Sequence, residues 1–339
     1  MISTLIMVIL VISFTFGYNY FLSRKSKVVI KIFSAGSLSI PLERIKEAYQ
    51  SLYRNIEIEI ESSGSVLAIR KVTELGKKAD IIAVADYVLI PKMMIPKWTD
   101  WYVIFATNKI VLAFTNKSKY AREINANNWC RILLKNDVRF GFSNPNLDPC
   151  GYRSLMVIAM ATSYYNDSTL EKIILDSSNI KIRRDNFYVD IFVPADFKVF
   201  TSEKIIVRDK SVSLISLLEA GVLDYAFEYQ SVAKQHGLKY ISLPDAINLA
   251  SLKHAENYKK YKVYLYYNSE KEQIVQGQLI TYSLTVPRYV NRSEVFNFLR
   301  FMLSSDGLNI LYSLGQEPID PPLGFGNIPK ELSDIVAKN

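Results

Sequence analysis

The sequence predicts an α/β protein built as two lobes. Three observations lead there. The chain has 339 residues, too many for one small domain and suited to two lobes of ordinary size. In its first quarter the unit buried strand, Ser/Gly turn, helix occurs twice, which is the pattern of a parallel sheet with helices packed on it. Further on, Ser143 to Ser154 (S-N-P-N-L-D-P-C-G-Y-R-S) reads as another strand-to-helix turn, with polar groups gathered at one point.

A charged fraction of 22% beside 49% hydrophobic residues is a globular composition without long disorder. The net charge of +8 is carried by 41 Lys and Arg spread along the chain, and the longest cluster, Lys259-Lys260-Tyr261-Lys262, is short. No stretch interleaves basic and aromatic residues, so a nucleic-acid partner is not expected. Two cysteines, two histidines and no C-x-x-C pair argue against a His/Cys zinc site. Cys130 and Cys150 leave two alternatives open, one disulfide or two buried thiols.

From Met1 to Leu22 there is no charged side chain, and Arg24, Lys25 and Lys27 follow. About 20 apolar residues suffice to span a bilayer. Residues 1–27 are therefore expected to be a secretory signal, with a small-x-small site at Thr15-Phe16-Gly17, or a retained anchor. With no basic residue before the apolar run and a cluster after it, charge bias alone favours the opposite orientation, but export to the extracellular face is expected because the rest of the chain fits it.

Val28 to Phe33 reads as a buried strand running into Ser34-Ala35-Gly36-Ser37, and Leu42, Ile45, Tyr49 and Leu52 then recur at helical spacing. Ile56 to Glu61 alternates strictly, a strand with one wet face. It ends in Ser62-Ser63-Gly64-Ser65 and enters a helix from Val66 to about Leu75. Asp80 to Ala85 is a third strand. Both Ser/Gly turns thus fall at the carboxyl ends of parallel strands, where open α/β sheets place their ligands.

Lys109 to Phe114 is a strand leading toward the second lobe, which holds a helix over 127–134 and a strand over 138–142. In the turn that follows, Asp148 stands at the N-cap position and Pro149 at the first helical position of a helix reaching Tyr165. The N–H groups of Cys150, Gly151 and Tyr152 are expected to point out of the helix start, where dipole and donors attract anions. Residues 176–200 are poorly patterned. Ser211 precedes a helix ended by Gly221, and Tyr225 to Tyr229 is a buried strand carrying one carboxylate, Glu228. A short helix to His236, a strand over 239–242, a return strand over 277–287, two helices within 293–314 and a Pro/Gly-rich tail complete the chain. Residues 28–112 and 281–339 are assigned to the first lobe and 113–280 to the second.

The S-A-G-S-L turn at Ser34, the Ser62–Ser65 turn, N-P-N-L-D-P-C-G-Y-R, F-E-Y-Q-S-V-A-K-Q-H-G-L and G-Q-E-P-I-D-P-P together resemble archaeal tungstate/molybdate-binding proteins of ABC importers. The resemblance runs in order from about residue 28 to about residue 332. It implies a class II periplasmic-binding-protein fold that closes on an oxyanion and docks on the membrane permease of its transporter, as a monomer with no cofactor of its own. Carried over residue by residue, it makes Ser37, Ser63, Gly64 and Ser65 oxyanion donors of the first lobe, and the Cys150 backbone, Ser211 and Tyr229 donors of the second. Asp148 and Glu228 become ligands to the W(VI) or Mo(VI) centre of the anion. For Asp148 the N-cap alone, and for Glu228 pairing to Arg153 or to a backbone group, remain the plainer alternatives. Arg153 itself is expected to support a carboxylate from behind.

Other cargoes would leave the same fold: sulfate or phosphate, or a hard cation such as calcium held by the two carboxylates. A hydrolase is disfavoured, because there is no G-x-S-x-G elbow and neither His236 nor His254 has an evident nucleophile beside it.

Overall fold

A computed structural model of the protein describes residues 27–200 and 204–338. The expected signal or anchor lies outside the described residues. Among the described residues no helix is long and apolar enough to cross a membrane.

Val28–Ala35 pairs in parallel with Ile56–Ser63 on one side and Ile81–Val84 on the other. Val28–Ala35 and Ile81–Val84, inside the sheet, are buried along most of their length, whereas Ile56–Ser63 at the sheet edge alternates and keeps one wet face. The register sets Ser34 against Ser62 and Ala35 against Ser63, so the two Ser/Gly turns leave the sheet side by side. The first lobe's sheet has seven strands, in spatial order Ala337–Lys338, Glu317–Gly326, Trp101–Asn108, Ile280–Thr285, Ile81–Val84, Val28–Ala35 and Ile56–Ser63. Helices Ser39–Leu52 and Ser65–Thr73 start from the two turns. Leu52, expected on the buried face of the first, is exposed at its frayed end.

The second lobe carries a five-stranded sheet, Lys239–Ser242, Ile110–Phe114, Tyr225–Tyr229, Phe140–Ser143 and Ile205–Arg208, and a four-stranded one, Gln273–Gln276, Tyr261–Tyr267, Val189–Pro194 and Lys181–Arg184. The chain changes sheet at Lys109, three residues before the expected boundary. The whole of Ile110–Phe114 is claimed by the second lobe, where Tyr225–Tyr229 and Lys239–Ser242 pair with it on either side.

Two strands of the first lobe's sheet and most of the small sheet differ from expectation. Trp101–Asn108 is a buried strand in the middle of the first lobe's sheet. Glu317–Gly326 pairs with it despite three prolines: Pro318 lies opposite Ala106 at the last paired position before the register breaks, and Pro321 and Pro322 fall in the break before Leu323. Residues 181–194, unpatterned in sequence, form a hairpin that shows much of one face to solvent.

Glu228 owes its position to a core of aromatic rings. Along Tyr225–Tyr229 the side chains alternate, and Phe227 packs edge-on to Trp129 and Phe140 with centroids 5.8 and 6.5 Å away. Burying such a ring stabilises by about 1.5–3 kcal/mol. The strand is thereby pinned, and the neighbouring Glu228 is held on the opposite face.

Candidate functional site

The Pro149–Tyr165 helix begins as its sequence dictates, with Pro149 at the first position and Asp148 capping. The cap has a wider reach than its own helix. Asp148 Oδ1 accepts from Cys150 N–H at 3.3 Å, and Oδ2 accepts from Ser211 N–H at 2.7 Å, at the start of the 3-10 turn Ser211–Leu214. Gly151 N–H donates to the Asp148 carbonyl. The N–H groups of Cys150 and Gly151, expected to point out of the helix start, are thus taken up by Asp148, the first by its carboxylate, which also holds Ser211 N–H, and the second by its carbonyl.

Glu228 lies beside this cap with 1% of its surface exposed. Its Oε1 accepts from Tyr229 N–H at 2.8 Å and faces the Cys150 thiol, while Oε2 is buried without a hydrogen-bond partner among the described residues. Burial is the main reason that its carboxyl is pushed up to about 8; the Tyr229 N–H works against it, and the Asp148 charge adds to it. Asp148 is raised as well, again by burial, with the N–H groups of Ser211 and Cys150 opposing. Cys130 and Cys150 are both free thiols, the second buried.

The first lobe brings its two turns onto this cluster. Gly64 packs so tightly on the central turn that a Cβ there would sit 2.1 Å from the Leu147 carbonyl oxygen. A Cβ on Gly36 would meet Val212 at 3.1 Å. The lobes are therefore closed on each other, and Ser37, Ser63, Ser65, Asp148, Cys150, Ser211, Glu228 and Tyr229 are all buried at the join. Ser37 Oγ is left without a partner among the described residues. Ser65 Oγ accepts from Ala85 N–H at 3.0 Å, keeping its own proton to donate, and Ser63 Oγ makes only a 3.3 Å bond to the Gly64 carbonyl. Ser34 and Ser62 are spent on each other and on Ser39.

Arg153 does support a carboxylate, but its partner is Asp86, which follows the third parallel strand. The guanidinium stands 3.2 Å from Asp86, donates to the Ala85 carbonyl and donates to the Tyr229 hydroxyl at 2.8 Å. Tyr152 donates to the same carboxylate at 2.5 Å. The Tyr229 hydroxyl accordingly serves as Arg153's acceptor, and Glu228 has no ion pair with Arg153. Asp86 was missed in sequence, although it occupies the same carboxyl-end position as the two serine turns.

At the mouth of the join a cavity of about 510 Å³ is lined by Ser63, Gly64, Lys71, Arg208, Asp209 and Lys210 among others. Three cations against one carboxylate favour an anion on the way in. Among the described residues no group of three or more His, Cys, Asp or Glu side chains forms a cation site.

The profile of the bacterial extracellular solute-binding protein family matches residues 30–315. A solute-binding protein of Staphylothermus marinus is 49% identical over 97% of this chain and 94% of its own length. The molybdate/tungstate-binding protein WtpA of Pyrococcus abyssi is 44% identical over 90% of this chain and 89% of its own. Among solved structures, the periplasmic molybdate-binding protein of Azotobacter vinelandii superposes with a TM-score of 0.56 at 14% identity, covering 85% of this chain and 98% of that one. The sulfate-binding protein SubI of Mycobacterium tuberculosis gives 0.57 at 11% identity, over 87% and 88%. At such identities they share the fold, two α/β lobes about a cleft. The chain belongs to the bacterial extracellular solute-binding protein family.

Proposed function

We propose that the protein captures molybdate or tungstate between its lobes and hands it to the membrane permease of an ABC transporter. Relatives named for that cargo, in Pyrococcus abyssi and Thermococcus kodakarensis, are 44% and 41% identical to it. The observation that carries the reading is the pair of buried carboxylates, Asp148 and Glu228, at the join of the two lobes, with Glu228 Oε2 and Ser37 Oγ unpartnered.

Carboxylates repel a dianion, so their presence needs a reason. Sulfur and phosphorus centres in sulfate and phosphate have no room for further oxygens. A large d⁰ Mo(VI) or W(VI) centre does, and Asp148 and Glu228 would supply them while Ser37, Ser63, Ser65 and backbone N–H groups of Gly64, Cys150 and Ser211 take the anion's own oxygens. The same carboxylates would turn away sulfate, which is selectivity by penalising the wrong ligand. To bind in this way Asp148 must release the N–H groups of Cys150 and Ser211 to the anion. The protein would act outside the cell, released or tethered by its N-terminal segment, as a monomer without catalysis or a cofactor of its own.

Parallel calorimetric titrations with tungstate, molybdate, sulfate, phosphate and calcium test this. Saturable one-to-one binding of the first two, with the others silent, is expected. Heat from sulfate, phosphate or calcium alone would overturn the cargo.

The raised carboxyls give a second expectation. An acid whose folded pKa exceeds its unfolded value stabilises the fold most below the unfolded value, and that contribution is lost as pH rises through the folded one. For Glu228 the window runs from 4.5 to about 8. In scanning calorimetry of the ligand-free protein, Glu228→Gln is therefore expected to gain on wild type in melting temperature as pH rises across that window. A constant difference would show that Glu228 is not held protonated.

A further inference from the structure

The lobes meet in several contacts besides the serine turns, among them Gln235, which donates to the Leu314 carbonyl at 2.9 Å. At the rim Lys271 pairs with Glu74 at 3.1 Å, and beneath it the buried Arg70 guanidinium lies 4.1 Å above the buried Tyr266 ring. The Lys271–Glu74 pair is exposed, and pairs in water contribute little. A further contact is a buried ion pair. Asp86, 1% exposed in the first lobe, receives Arg153, 2% exposed, and Tyr152, both near the start of the second lobe's long helix. Its other oxygen accepts from Val88 N–H at 3.1 Å, which ties it to its own lobe, and from Gln278 at 3.2 Å on the returning chain.

We propose that Asp86, Arg153 and Tyr152 form a latch that holds the lobes closed without help from the cargo, with Arg153 also acting as a positioning residue for Glu228. The inference rests on capture between the lobes, not on which anion is captured. An anion shifts an open–closed equilibrium only through contacts that it makes better in one state. Here one set of closed-state contacts belongs to the protein alone. Opening strips the Arg153 guanidinium from Asp86 and from the Ala85 carbonyl, so part of the free energy of closure is present before binding. The same guanidinium reaches the second lobe's site from behind: it donates to the Tyr229 hydroxyl, and Tyr229 N–H holds Glu228 Oε1. Closure and the aim of Glu228 are thereby set by one cation. A cargo can enter or leave only while the latch is open, so the latch slows both steps.

The test is small-angle scattering of the ligand-free protein together with stopped-flow binding of tungstate, for wild type, Asp86→Asn, Tyr152→Phe and the double variant Asp86→Asn/Arg153→Gln. Asp86→Asn is expected to enlarge the ligand-free radius of gyration and to speed tungstate release about 10- to 100-fold, the range seen when groups behind a ligand are removed; the association rate rises as well, because more of the ligand-free protein is open. Tyr152→Phe, which loses a single oxygen and keeps the packing, is expected to move all three in the same direction by less, and it carries the result if Asp86→Asn fails to fold. The double variant, which leaves no buried charge unpaired, is expected to be open as well. A ligand-free radius equal to wild type in Tyr152→Phe and in whichever other variants fold overturns the latch, whatever the release rate does. Absence of tungstate binding in wild type would overturn the proposed cargo, and the scattering comparison would still decide the latch.

Discussion

A tungstate titration of Gly64→Ala is expected to show affinity lowered about 100-fold or more, with each lobe still folded. Gly64 has ordinary extended angles (φ −65°, ψ 146°) that alanine adopts without strain, so its own lobe loses nothing. What the methyl meets is the other lobe: backbone atoms of Leu147 at 2.1 and 2.8 Å and the Asp148 Cα at 3.3 Å. Backbone cannot step aside as a side-chain tip can, and the turn that would have to move is the one that carries Asp148. If the variant reaches the closed state in only about 1% of molecules, apparent affinity falls about 100-fold. Calorimetry measures the affinity and circular dichroism checks the folding. Wild-type affinity in this variant would mean that binding does not require the two turns to meet.

The second large effect is chemical. Glu228→Gln keeps the shape of the side chain and removes its charge, and tungstate affinity is expected to fall about 10- to 100-fold while sulfate binding holds or improves. Asp148→Asn is expected to act in the same direction. Asparagine can still accept one N–H, but it cannot serve both Cys150 and Ser211 as two carboxylate oxygens do. Equal losses for tungstate and sulfate would indicate that the carboxylates only shape the site. Undiminished tungstate binding in both variants would remove them from the ligand set.

Much of the candidate site was legible because its signals are local. Asp148-Pro149 announces a capped helix start within two residues, and a Ser/Gly turn after a β-branched run places hydroxyls at a strand's carboxyl end. Gly221 and Gly237 lie in the left-handed region at the ends of their helices, as their spacing suggests. The Asp86–Arg153 pair was not legible, because its members are far apart in the chain and meet only when the lobes close. The occupancy of the Cys150 and Ser211 donors was equally hidden, since it requires two helix starts to converge on one carboxylate. Strands failed where burial on the sheet overrode local chemistry: prolines disguised Glu317–Gly326, and a half-exposed hairpin blurred 181–194.

The order of strands in the seven-stranded sheet bears on how the chain is assembled as it is made. Ile280–Thr285 lies between Ile81–Val84 and Trp101–Asn108, so the N-terminal strands have a gap at their centre until residue 285 has emerged, and the far edge waits for Glu317–Gly326. The second lobe has no such debt, because both of its sheets are drawn entirely from residues 110–276. Domains fold as units, in the order their parts are synthesised. The inner lobe can thus mature while the outer one is still a set of unpaired edges, and the last element to arrive is the one that seals the protein against sticking to its neighbours.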